Sequence, residues 1–157
     1  MESVLLCIGK TDRGEIKQLI QTYEQRLTHY TKFSIQVIEN LKKTKSMSEL
    51  EQKEKEGKFL QKQFKTGDFI VLLDEGGKQF TSINFSEWIN KQQIAGRKRI
   101  VFVVGGPYGF SDEIYHLAHQ KISLSLLTFS HQMVRLFFVE QLYRAYTILK
   151  NEPYHHR

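Results

Sequence analysis

The sequence predicts one α/β domain, in which a parallel sheet carries helices on both faces. Short apolar runs alternate with longer helical patterns along the 157 residues, an order typical of parallel strands joined by helices. Residues 69–73 and 100–104 are almost wholly apolar, as expected of strands buried on both faces of such a sheet. A chain of this length is most simply a single domain, and we assign residues 1–157 to it.

The individual elements follow from apolar periodicity and from residues that begin or end helices. A capping-box pattern at Ser46-Met47-Ser48-Glu49 opens a charged helix that runs to about residue 64. Its charge run, Lys53-Glu54-Lys55-Glu56, indicates a solvated face. The residues Asp74-Glu75-Gly76-Gly77 are interpreted as a turn. The predicted strands are 4–8, 33–38, 69–73, 100–104 and 122–124, and the other predicted helices are 15–29, 84–94, 112–119 and 131–149.

The last predicted helix, 131–149, is apolar on every side. Met133, Leu136, Phe138 and Ile148 are among the apolar residues that surround it. A helix that is apolar all round is buried all round, and one face of a domain this small cannot cover it. We therefore expect a homodimer with this helix in the interface.

The chain is basic, with a net charge of +6 and a sequence pI near 9.4. This balance fits a nucleic-acid partner and equally fits a basic protein without one. The basic clusters Lys42-Lys43-Thr44-Lys45 and Arg97-Lys98-Arg99 fall at predicted loops, where phosphates are easily reached. No apolar segment has the length of a membrane span, and no signal-type segment opens the chain. We therefore expect a cytoplasmic protein without a membrane partner.

Neither the cysteine nor the histidine pair of the central region predicts reactive or metal chemistry. Cys7 lies in an apolar run and is interpreted as a buried strand residue. His116 and His119 are spaced i, i+3 on a predicted helix, but no Cys, Asp or Glu pair of matching ligand spacing accompanies them. We therefore expect no metal site.

A candidate binding site follows the strand 100–104. The turn Gly105-Gly106-Pro107-Tyr108-Gly109 comes directly after this strand, and open α/β sheets bind ligands at the carboxyl ends of their strands. The turn matches neither a Walker A loop nor a dinucleotide-binding pattern. From the pattern alone, its glycines fit a purely steric turn, and the leucines of 124–129 fit an ordinary core. Ser125 and Thr128 are harder to explain in an apolar run, and they suit bonds to the loop or to a ligand.

Several segments together resemble the ribosomal large-subunit methyltransferase H family, a minimal branch of the SPOUT class of methyltransferases. The resemblance covers essentially the whole chain and is most specific in its last third. The segments that carry it are Gly105-Gly106-Pro107-Tyr108-Gly109-Phe110-Ser111, the loop 124–129, His131-Gln132-Met133-Val134-Arg135, Glu140-Gln141-Leu142-Tyr143-Arg144-Ala145 and Pro153-Tyr154-His155.

The resemblance implies a fold, a cofactor and a substrate. The fold would be a parallel-sheet SPOUT domain with a deep trefoil knot at its C-terminal end, and the protein would be a homodimer. The enzyme would use S-adenosyl-L-methionine to methylate N3 of a pseudouridine in the 23S rRNA of assembled ribosomes, so no DNA partner is expected. The cofactor pocket would be lined by Leu73, Gly105, Leu124, Ser125, Leu126, Leu127, Thr128 and Phe129, with the glycines allowing the backbone to approach the adenosine. The acidic Asp74–Glu75 pair departs from the Pro-Gly-type turn associated with this position.

The C-terminal tail, residues 153–157, carries the first two of four candidate catalytic residues, Tyr154 and His155. N3 of pseudouridine holds a proton that must leave, and His155 is the candidate general base because an imidazole titrates near neutrality. Tyr154 is suited to stacking on a base, while Arg135 and Glu140 are weaker candidates for positioning. In a dimer, the tail of one subunit would be able to complete the pocket of the other.

Two other functions stay open at this point. A non-catalytic RNA- or ribosome-binding α/β module would share the basic charge and would need no cofactor pocket. A flavodoxin-like nucleotide protein fits the alternation of strands and helices, but it does not account for the C-terminal segments. Binding of S-adenosylmethionine separates the enzyme from both.

Overall fold

The predicted α/β architecture is confirmed by the computed structural model of the chain, which describes residues 1–12 and 14–156. In chain order the elements are β1 (Glu2–Ile8), α1 (Glu15–Leu27), β2 (Lys32–Ile38), α2 (Glu49–Gln61), β3 (Phe69–Gln79), α3 (Ser82–Ile94), β4 (Arg99–Val104), α4 (Asp112–Leu117), β5 (Gln120–Ser123) and α5 (His131–Leu149). A short 3-10 helix, Thr44–Ser46, precedes α2. The strands form one sheet in the order β2-β1-β4-β3-β5, and every pairing is parallel.

The sheet is covered on both faces, as the apolar strands predicted. Along β1, Leu5 and Cys7 belong to one apolar cluster, while Leu6 and Ile8 belong to another. Successive strand residues point to opposite faces of a sheet, so the two clusters are the two cores. The first core packs under α1, α3 and α5, and the second packs under α2 and α4. The fully buried β4 lies between β1 and β3 and separates these cores.

The turn predicted at Asp74-Glu75-Gly76-Gly77 is wrong, because β3 continues through it to Gln79. The pairing of β3 with β5 shifts in register between Leu73 and Lys78, so the intervening residues are accommodated without ending the strand. Gly77 permits this close pairing, since a Cβ at that position would lie 2.6 Å from the Ile122 backbone nitrogen. The glycines and acidic residues at 74–77 therefore belong to an irregular stretch of strand and not to a turn.

The start of α2 and the exposure of its charge run also differ from the prediction. Ser48, two residues beyond Ser46, caps the helix by accepting a hydrogen bond from the Glu51 backbone N–H at 3.1 Å. Glu56 belongs to the run interpreted as solvated, yet only 4% of it is exposed. The face that α2 turns toward the protein therefore carries buried polar groups beside one large apolar side chain, Leu60.

The bounds of α5 are those predicted, but the chain covers only part of the helix. Phe138 is fully buried and packs on Phe102 with their ring centroids 4.6 Å apart. Phe137 stays 38% exposed, and its only aromatic neighbour among the described residues is Phe129. Among residues 1–12 and 14–156, α5 and the other helices lack the length and apolarity needed to span a bilayer.

Candidate functional site

A cavity of about 620 Å³ opens at the carboxyl ends of β4 and β5, beside residues 73–76 of β3, where the pairing of β3 with β4 ends; parallel sheets bind ligands in this region. Its volume lies within the range of small-molecule sites. The predicted cofactor residues Leu73, Gly105, Leu124, Ser125, Leu127, Thr128 and Phe129 all line this cavity. Leu126 is not among the described lining residues, and 82% of it is exposed. The sheet thus brings together residues that are about 50 positions apart in sequence.

The glycine turn walls the cavity on the side of β4. The Gly109 N–H donates to the Gly106 carbonyl at 3.1 Å, and Gly109 has a positive φ of 78°, a conformation that favours glycine. A Cβ on Gly105 would lie 3.1 Å from the Phe110 ring, and a Cβ on Gly106 would overlap Glu56 Oε2. A side chain at either position would therefore make Phe110 or Glu56 move, in addition to taking up room that the glycines leave for a ligand.

The loop between β5 and α5 forms the opposite wall, and its polar residues hold its shape. The Ser125 hydroxyl accepts a hydrogen bond from the Leu127 N–H at 2.9 Å, and its carbonyl accepts one from the Ser123 hydroxyl at 2.9 Å. The Thr128 hydroxyl lies 3.5 Å from Glu75 Oε2, at the limit of a hydrogen bond. The hydrogen bonds of Ser125 are made within its own loop. They explain the polar residue in this apolar run.

The rim of the cavity is acidic, and sequence reasoning did not assign these residues to the site. Asp74 Oδ2 accepts a hydrogen bond from the Tyr115 hydroxyl at 2.6 Å, while Asp74 Oδ1 accepts one from the Gly76 N–H. Burial and this bond raise the pKa of Tyr115 to about 12, so the phenol stays a donor. Glu75 lines the same rim. The only signal for these residues in the sequence was that Asp74 and Glu75 replace the Pro-Gly-type turn associated with this position. Their negative charge favours a cationic ligand.

His131 lines the cavity at the first turn of α5. Partial burial and the neighbouring Arg135 guanidinium lower the pKa of its imidazole, and the positive end of the helix dipole disfavours a cation there as well. The imidazole is therefore neutral at physiological pH, and among the described residues that line the cavity Asp74 and Glu75 are the ones that carry charged side chains.

Arg135 serves the fold in this protomer. It is 1% exposed, and its guanidinium donates to the Ile8 carbonyl at 2.8 Å and to the Thr11 hydroxyl at 3.1 Å. These bonds join α5 to the loop that follows β1. Arg135 does not line the cavity in the described structure, so its positioning role remains a prediction.

Tyr154, in the tail, contacts α1 and α5. The Tyr154 hydroxyl donates to Glu140 Oε1 at 2.9 Å and lies 3.2 Å from the Tyr23 hydroxyl. The Arg144 guanidinium sits over the Tyr154 ring, 4.6 Å from its centroid. Burial and the hydrogen bonds to Tyr23 and Glu140 raise the pKa of Tyr154 above its ordinary value, so the phenol is protonated.

Arg144 links Glu140 to His155 through hydrogen bonds. Glu140 Oε1 accepts hydrogen bonds from Arg144 and Tyr154, and Oε2 accepts one from Gln141. Arg144 Nη1 lies 3.3 Å from His155 Nδ1. A guanidinium only donates, so Nδ1 accepts and the proton of a neutral ring is on Nε2.

The structure does not bring the tail to the cavity of its own protomer. None of the described residues 140–156 lines the cavity. Glu140, which binds Tyr154, lies six residues beyond Val134, the last described residue of α5 that lines the cavity, which is roughly 9 Å along a helix axis. The two halves of the predicted site are therefore separate within one chain.

Among residues 1–12 and 14–156, no three His, Cys, Asp or Glu side chains are grouped so as to hold a metal ion. The two histidines considered above make protein contacts instead. His116 Nδ1 lies 2.6 Å from the Asp112 carbonyl, and His119 Nδ1 accepts a hydrogen bond from the Ile70 N–H.

The burial of Glu56 predicts a pH dependence of stability. Burial raises the pKa of this carboxyl above its ordinary value of 4.5, so the folded state binds its proton more tightly than the unfolded state. Stability should therefore fall as the pH rises from 4.5 to the raised pKa and then level off. Urea unfolding between about pH 4 and pH 8 should show a steeper fall in the wild type than in Glu56→Gln, which keeps only the contribution of other groups such as Glu24, whose pKa burial also raises. Parallel curves for the two proteins would contradict the prediction.

Comparisons with known proteins agree with the predicted resemblance. Residues 1–155 match the family described as predicted SPOUT methyltransferase. The chain is 61% identical over 153 residues to the ribosomal RNA large subunit methyltransferase H of Christiangramia forsetii, with 98% of each chain covered. It is 56% identical over 156 residues to the protein of that name in Parabacteroides distasonis, covering 99% of each, and 54% identical over 157 residues to that of Flavobacterium johnsoniae, covering 100% of each.

Proposed function

We propose that this chain, which belongs to the SPOUT methyltransferase family, transfers a methyl group from S-adenosylmethionine to the RNA of the large ribosomal subunit. The observation that carries the proposal is the cavity at the carboxyl ends of β4 and β5, beside residues 73–76 of β3. Three of the segments that carry the resemblance contribute to its walls, with residues from 105–110, 124–129 and 131–134. The relatives that match the chain over its whole length are large-subunit rRNA methyltransferases by name.

The residues of the cavity fit S-adenosylmethionine in size and charge. SPOUT methyltransferases generally use this cofactor, which supplies the methyl group from a positively charged sulfonium when it is bound. The acidic rim of Asp74 and Glu75 complements that charge. The wall formed by Gly105 and Gly106 presents backbone groups, and Leu73, Leu124 and Phe129 provide apolar surface for the adenosine.

We further propose N3 of a pseudouridine in 23S rRNA as the acceptor, reached in assembled ribosomes. The tail supplies the polar groups for this step. His155 takes the N3 proton, Tyr154 and Glu140 hold the tail, and Arg135 positions α5 behind the cavity. Because His155 Nδ1 faces Arg144, this contact must open for Nδ1 to act as the base.

The separation of tail and cavity within one chain supports a composite site in a homodimer. We propose that α5 forms the interface, with Phe137 as part of the surface left exposed by one protomer, and that the tail of each protomer completes the cavity of its partner. The trefoil knot typical of the family and a cytoplasmic location belong to the same proposal.

S-Adenosylmethionine binding is the first test. Ligand at about 100 times its Kd should stabilise the fold by about 2.7 kcal/mol, a rise in Tm of roughly 5–10 °C for a chain of this size. Gly105→Val should abolish the shift, because its side chain would be forced against Phe110 and the Gly109 carbonyl. Ile94→Ala is the control at an exposed position outside the cavity and should keep the shift.

The second arm measures methyl transfer to intact large subunits and to naked rRNA. The enzyme should incorporate labelled methyl groups into the subunits. A wild-type protein that shows no binding to millimolar S-adenosylmethionine by calorimetry, and no transfer, would instead support a non-catalytic RNA-binding module.

A further inference from the structure

The helix α2 contacts both ends of the segment 105–111, which walls the cavity. Two adjacent residues of α2 make these contacts. Glu56 lies against Gly106 so closely that a Cβ there would overlap its Oε2. A Cβ on Gly57 would lie 2.5 Å from the hydroxyl of Ser111, the residue that caps α4. The helix therefore supports the cavity wall from the side opposite the cavity.

Glu56 is an unusual residue for such a contact. It is almost fully buried, and its Oε1 accepts a hydrogen bond from the buried Gln52 side chain at 2.9 Å. Its Oε2 has no hydrogen-bond partner in the part of the chain that the structure describes. An unpaired buried oxygen destabilises a fold relative to an apolar side chain of the same shape. A residue that only filled space between α2 and the turn would more simply be apolar.

The contact between Glu56 and Gly106 lies at the turn that walls the cavity. Gly106 lies between Gly105 and Pro107, both of which line the cavity, and it is bridged to Gly109 across the turn. Since Gly106 has no side chain of its own, the turn is supported there by the carboxyl of Glu56. Withdrawal of this carboxyl would leave the backbone free to move away from the ligand.

We propose that Glu56 is a positioning residue for the methyl donor: held by Gln52, its carboxyl supports Gly106 and keeps the segment 105–111 in the shape that binds the cofactor. This inference rests on the proposed function, because it concerns the same cavity. Burial favours the neutral carboxyl, so glutamine, which is neutral and of equal length, is the conservative replacement.

The test compares three variants by calorimetry with S-adenosylmethionine and by steady-state methylation of large subunits. Glu56→Ala should raise Kd and KM for the cofactor at least about tenfold, while kcat at saturating cofactor stays within about threefold. Glu56→Gln should keep Kd within about threefold of the wild type. Leu60→Ala removes a buried side chain one turn further along α2. It should lower Tm without moving Kd, which separates loss of support at Gly106 from general loosening of the helix.

A second variant covers the case in which Glu56→Ala does not fold. Glu56→Asp keeps a carboxyl but withdraws it from Gly106 by one methylene group, and it should weaken binding about tenfold. The inference is wrong if the folded Ala or Asp variant binds like the wild type, or if Leu60→Ala weakens binding as much as they do. Failure of the wild type itself to bind S-adenosylmethionine would overturn the proposed function, and this inference with it.

Discussion

Deletion of residues 154–157 is expected to reduce methylation of ribosomes by orders of magnitude while leaving affinity for S-adenosylmethionine nearly intact. The described tail residues do not line the cavity of their own protomer, so their loss does not change its walls. They include the imidazole of His155, proposed to take the N3 proton, and Tyr154, whose hydroxyl bonds to Glu140 and is proposed to hold the tail. The measurement pairs labelled-methyl incorporation with calorimetric cofactor binding and light scattering.

The substitution His155→Ala isolates proton removal from the other functions of the tail. If His155 is the general base, its loss should cost on the order of 10²–10⁴-fold in kcat. His156→Ala is the matched control, since it removes the adjacent, exposed imidazole. Wild-type rates from the truncated enzyme, or equal losses from the two histidine variants, would show that the tail does not act as proposed.

A mixture of two inactive variants is expected to recover activity. One variant lacks residues 154–157, and the other is Gly105→Val, which has a distorted cavity wall but an intact tail. If each cavity is completed by the partner's tail, a heterodimer holds one site with an intact cavity and an intact tail. With random mixing in equal amounts, about half of the dimers are heterodimers, and one of the two sites in each heterodimer works. The mixture should then recover about a quarter of the wild-type activity.

The arrangement within one protomer predicts the opposite outcome for this mixture. A tail that serves its own cavity would leave every site in the heterodimer with one defect, and activity would remain at the level of the separate variants. Heterodimers isolated through two different affinity tags make the comparison quantitative. The control mixes each variant with itself at the same total concentration.

Much of the fold could be predicted because it depends on local patterns. The doubly buried strands are read from apolar runs, and α5 begins and ends at the residues that its apolar pattern marks, 131 and 149. The walls of the cavity follow from the rule that loops at the carboxyl ends of parallel strands meet. The irregular end of β3 could not be predicted, because acidic and glycine residues are ordinarily turn formers and only their pairing with β5 makes them a strand.

The parts of the site that escaped prediction depend on contacts between distant segments. Glu56 stands in a run of alternating charges, and nothing local distinguishes it from its exposed neighbours. Its burial results from the packing of α2 on a turn 50 residues later in the chain. The separation of tail and cavity likewise depends on the length and direction of α5, because the first turn of this helix lines the cavity and the tail follows its last turn. The direction of the helix in the fold is not encoded in a local pattern.

The hydrogen bond from Arg135 to the Ile8 carbonyl joins residues 127 positions apart, and this has a consequence for synthesis of the protein. Until α5 has been made, the Ile8 carbonyl and the Thr11 hydroxyl lack the guanidinium of Arg135 as a partner, although the end of β1 can already pair with β2. Native contacts of such high sequence separation form slowly. The cavity, which has the first turn of α5 in its wall, is therefore completed only after that turn has been synthesised and has packed against the end of β1.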